Sequence, residues 1–86
     1  MSTSINFQVE KHRHRWAKIT FTLGDDQGRH TSKSVIVPSN EIAVTMDRIM
    51  ESIDPSKDIT VLATTIADGF SNHGVGRSGF TLRLSN

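Results

Sequence analysis

The apolar positions of this chain follow two periods, and the change between them falls at Pro38. Before it they alternate. Ile5, Phe7 and Val9 are interleaved with Asn6, Gln8 and Glu10, and Ile19, Phe21 and Leu23 with Thr20 and Thr22; Val35 and Val37 flank Ile36. A spacing of two places each set on one face of a strand. After Pro38 the spacing becomes helical. Ile42, Met46, Ile49, Met50 and Ile53 recur at i, i+4, i+7, i+8 and i+11, an amphipathic stripe that leaves Thr45, Asp47, Arg48 and Glu51 off it. Ile59, Leu62, Ala63, Ile66 and Phe70 fit a second stripe, and alternation returns at Phe80, Leu82 and Leu84.

The residues between these runs act as punctuation. Gly24-Asp25-Asp26-Gln27-Gly28 is turn chemistry, because Asp bonds its own backbone and Gly accepts positive φ. Pro38 ends the third strand, His30 to Val37, since it cannot donate to a ladder. Ser39 or Asn40 is placed to cap a helix starting at Glu41, and Asp54-Pro55 ends that helix. For the next segment Ser56 is read as the cap, with Asp58 in the first turn and Gly69 or Gly74 as the stop. Six of the eight residues from Ile59 to Ile66 are β-branched, which argues for a strand, but length and capping favour a helix. The expectation is one α+β domain over 1–86: a four-stranded, mostly antiparallel sheet in the order β-β-β-α-α-β, with two helices packed on one face.

A conflict of register singles out the segment from Lys11 to Trp16. Ile5 and Leu23 share odd parity, so one unbroken strand would aim Lys11, Arg13 and Arg15 at the core, and burying three unpaired cations is prohibitive. A turn between about residues 10 and 15 is therefore expected, although no Gly, Pro or Asn marks it. The picture is two strands joined by a basic loop.

Composition adds bounds. The chain has 86 residues, 35% of them hydrophobic and none of them cysteine. A domain of that length buries only roughly 60 to 65% of its unfolded surface, so a thin core without disulfides is expected to complete itself by oligomerising, as a dimer, or by docking on a partner. Absence of Cys fits a reducing compartment. Met1 to Ser4 does not read as a signal peptide, and no apolar run approaches the roughly 20 residues of a membrane span, so a cytoplasmic protein without membrane contact is expected. The net charge of +1 is uneven: residues 1–40 carry six Lys and Arg against three acids, or +3, and residues 41–86 carry four against six, or −2.

The basic run is the strongest candidate for chemistry. In extended geometry Lys11, Arg13 and Arg15 would form a row of cations on one side, followed by Trp16 and Lys18. Arg can grip phosphate oxygens bidentately and Trp can stack on a base, so nucleic acid, a nucleotide-like anion or an acidic protein surface are the partners this pattern fits. The plainer alternative is a solvated hairpin tip that protects a sheet edge. His12, His14 and His30, with Asp25 or Asp26, have donor atoms suited to zinc, but the flanking cations oppose it. The run from Gly74 to Gly79 matches G-x-G-x-x-G without the strand before it and helix after it that dinucleotide binding requires. What remains there is a Gly-rich loop in which Gly76 and Arg77 could cradle an anion.

No nucleophile, base and orienting group are spaced for catalysis, and no cofactor is implied. The resulting expectation is a small non-catalytic binding protein, accessory or inhibitory in role, for which a phage or mobile-element inhibitor of a nucleic-acid system is one example. A structural homo-oligomeric subunit is the alternative.

Overall fold

The computed structural model of the chain describes residues 2–72. Three strands come first: β1 (Ser4–Arg13), β2 (Trp16–Gly24) and β3 (His30–Pro38). A single 3₁₀ turn, Ser39–Glu41, leads into α1 (Ile42–Glu51), and α2 (Ile59–Asn72) follows. The strands form an antiparallel sheet in the order β1-β2-β3. The α+β class and the two helices match the pattern. The expected fourth strand, with Phe80, Leu82 and Leu84, and the loop before it lie outside the described residues.

The alternation sorts the sheet into two faces. Ala17, Ile19, Phe21 and Leu23 of β2 and Val35 and Val37 of β3 are buried, and they form one core with Ile49 of α1 and the α2 stripe. The helices therefore share one face. Their cover is off-centre, for α2 packs chiefly on β3. Ile5 and Phe7 of β1 are half-buried at the margin, and Val9 keeps 45% of its surface exposed, against 4% and 1% for Val35 and Val37.

Each helical stripe is modified by the packing. All five apolar residues of the α2 stripe are buried, so tertiary contact overrides the strand preference of the β-branched run. Its cap is Asp58, and Ser56 has another role. Asp58 Oδ2 accepts the N–H groups of Thr60 (3.0 Å) and Val61 (3.3 Å), satisfying two donors of the first turn. Ser56 donates its hydroxyl and its N–H to Asp54 Oδ1, closing the turn between the helices. Gly69 lies inside α2 and does not end it. In α1 no side chain caps the start, where the 3₁₀ turn stands in for the expected Ser39 or Asn40 cap. Thr45 is fully buried and Met50 is 45% exposed, the reverse of their expected places.

The two turns solve different problems. At the β2–β3 end, Asp25 Oδ1 accepts the N–H groups of Gln27 and Arg29, and Gly28 takes φ of 81°. The β1–β2 end has no glycine. Here β1 continues to Arg13, so the connection is the two-residue turn His14–Arg15 rather than a loop over residues 10–15. Arg15 adopts φ of 65°, a left-handed conformation disfavoured by its Cβ. Its carbonyl accepts the N–H of Ser39 at 2.9 Å, which fastens the hairpin to the start of the helical layer.

Candidate polyanion-binding face

The decisive local feature is a break in register. Lys11 pairs with Ala17 and Arg13 pairs with Trp16, so a β-bulge inserts His12 between them. Paired residues of an antiparallel ladder share a face. Lys11 thus lies on the helix-bearing side with Ala17, while Arg13 is moved to the opposite side with Trp16. The expected single row of Lys11, Arg13 and Arg15 does not form, since the bulge reverses its middle member and Arg15 sits in the turn.

What forms instead is a patch on the uncovered face. Trp16, half-buried, stands between Arg13 on β1 and Pro38 on β3. Two residues along, Lys18 stands between Glu10 and Ile36, with Lys18 Nζ 3.9 Å from Glu10 Oε1. That ion pair is loose and exposed, so it leaves the ammonium available. Beyond it the face becomes hydroxylic: Thr20 and Ser34 share a hydrogen bond of 2.8 Å, and Thr22 and Ser32 one of 2.7 Å. Asn6 and Gln8 continue these rows on β1. The result is a flat strip of neutral hydrogen-bonding groups with an indole and two cations at its hairpin end.

The histidines do not converge. His12 and His14 lie at the hairpin end, whereas His30 pairs with Gly24 at the other, eight residues along β2 or about 26 Å away. Among the described residues no group of three His, Asp or Glu is placed to hold a metal ion. Gly76 and Arg77 lie outside the described residues.

A cleft of about 160 Å³ opens at the end of the sheet remote from the basic patch, lined by residues that include Ser2, Asp25, Asp26, Arg29, Lys57 and Asp58. Its three acids and Arg29 are already engaged. Arg29 Nε bonds Asp25 Oδ2 at 2.7 Å, and its Nη2 bonds Asp58 Oδ1 at 3.1 Å. Ser2 donates its N–H and hydroxyl to Asp26 Oδ1. Desolvation pushes the Asp25 carboxyl up, but the Arg29 side chain, the N–H groups of Arg29 and Gln27 and the Arg29 charge together hold it below its ordinary value. Asp58 is held down chiefly by the Val61 N–H, against desolvation, with Thr60 and Arg29 adding to the effect. These acids serve the turn and the cap, so the cleft is a structural junction.

Among the described residues the arrangement is α+β: a three-stranded antiparallel sheet with two helices on one face and a polar, locally basic face that those helices leave open. Comparison with known protein families, curated proteins and solved structures finds no match to this chain. No helix among the described residues is long and apolar enough to cross a membrane.

Proposed function

We propose that this protein is a non-catalytic binding module whose open sheet face holds a single strand of nucleic acid at the Arg13, Trp16 and Lys18 end. The observation that carries this reading is the bulge, which sets a cation beside the indole on the side of the sheet the helices leave free. Three ingredients of single-strand binding then adjoin: an aromatic ring for stacking, cations for the backbone, and a strip of hydroxyls and amides for hydrogen bonds. Arg15 in the turn extends the positive field outward.

Trp16 is the sole tryptophan, so its fluorescence reports the site directly. Titration with oligo(dT) is expected to quench it, with an affinity that falls as salt rises by about 0.7 logarithmic units per phosphate contact and tenfold change in salt. Arg13→Ala and Lys18→Ala each lower that slope, and Trp16→Ala weakens binding of a labelled oligonucleotide about tenfold or more through lost stacking. Binding without quenching, or quenching indifferent to salt, would overturn the reading. Equal binding of polyglutamate would redirect it to an acidic protein partner.

A further inference from the structure

The sheet has two edges among the described residues, and they differ. At β3 the inward valines are covered by α2, whereas β1 lies at the margin of the helical layer, with Ile5 and Phe7 half-buried and Val9 45% exposed. β1 is also long, at ten residues, and it has no Pro or Gly and no charge from Ser4 to Val9. Such an edge is a template for another strand unless something occupies it.

The sequence of β1 is complementary to itself in one register. An antiparallel pair centred on Phe7 sets Phe7 opposite Phe7 of a second copy, Ile5 opposite Val9 and Asn6 opposite Gln8. It also sets Glu10 opposite Ser4 and Lys11 opposite Thr3, so no like charges meet. Shifting the centre by one residue toward the hairpin puts Ile5 against Lys11, and shifting it the other way puts Val9 against Thr3. Alternation forbids the half-steps, which would turn apolar residues to the wrong face.

We propose that two copies of this chain pair through β1 about a two-fold axis at Phe7, giving a continuous six-stranded sheet. The pairing is isologous and closes on itself. It joins the two open faces into one and leaves a basic patch on each half. The inference stands apart from the nucleic-acid reading, because it uses the edge and not the patch. The other occupant to be separated is the chain's own segment 80–84, whose Phe80, Leu82 and Leu84 share the alternating pattern.

Sedimentation of the full chain over a concentration series tests it. The expected species has twice the 9.5 kDa mass of one copy. Val9→Lys raises the dimer dissociation constant at least about tenfold. Val44→Lys, at an α1 valine that is likewise 45% exposed, leaves it unchanged. Because the chain has no cysteine, Phe7→Cys gives a single thiol that faces its own copy, at Cα separations of about 4.5 to 5.5 Å that a disulfide can span. Oxidation then yields a covalent dimer for Phe7→Cys and not for Val44→Cys. A monomer at every concentration overturns the proposal, whether segment 80–84 covers β1 or nothing does. A dimer indifferent to Val9→Lys, or equal cross-linking from both thiols, overturns it too. Should Val9→Lys lose its circular dichroism, the cross-linking pair decides.

Discussion

Arg29 Nη2 bonds Asp58 Oδ1 at 3.1 Å, so the cation that closes the β2–β3 turn also holds the carboxylate that caps α2. One guanidinium thereby couples the two ends of a 29-residue separation in sequence. Asp25 and Asp58 both have lowered pKa values, which fixes the sign of the pH response. A depressed carboxyl contributes stability above its unfolded value, near 3.8, and loses it as pH falls through the lower folded value. The urea midpoint is expected to stay level from neutral pH down to about 5 and to drop below about 4. Arg29→Ala should flatten that drop, which midpoints measured across pH 2 to 7 would show.

Arg15 stands in the left-handed region with a full side chain. Relief of that conformation is worth about 1 to 2 kcal/mol, and the added freedom of Gly in the unfolded chain takes back about 0.5 to 1 kcal/mol. Arg15→Gly is therefore expected to raise stability by about 0.5 to 1 kcal/mol in chemical denaturation, although it deletes a cation from the hairpin.

The Thr45 hydroxyl is fully buried and has no hydrogen-bond partner among the described residues. Val has nearly the same shape and no polar group to desolvate. Thr45→Val is expected to stabilise the fold by about 1 kcal/mol, read as a higher denaturant midpoint with unchanged slope.

Among the described strand residues Glu10 is the lone acid on the open face, and it faces Lys18 across the ladder. Replacing it by Gln removes a charge that opposes phosphate and disrupts an exposed pair worth little to folding. Glu10→Gln is expected to tighten oligonucleotide binding several-fold at low salt, with the gain fading toward high salt, and to leave the unfolding midpoint in place.

The periods in the sequence locate β2, β3 and both helices, because alternation and the helical stripe are themselves consequences of a one-sided core. Three details escape that logic. The bulge at His12 leaves no mark in a run of cations, since neither hydrophobicity nor a turn residue distinguishes Arg13 from Lys11. Thr45 and Met50 exchange places because angular position on α1, and not residue type, decides what faces the core. Ser56 and Asp58 are both good caps, and only the position of the first helical turn selects between them. The candidate site was legible as a set of residue types, Arg, Trp and Lys, but its face was not.

The bond from the Ser39 N–H to the Arg15 carbonyl makes the hairpin audible from a distance. An amide held in that way exchanges with solvent only when the bond opens. A ligand that steadies the strand ends at Arg13 and Trp16 would therefore slow hydrogen exchange at Ser39. That amide offers a built-in reporter of occupancy where the hairpin meets the helical layer.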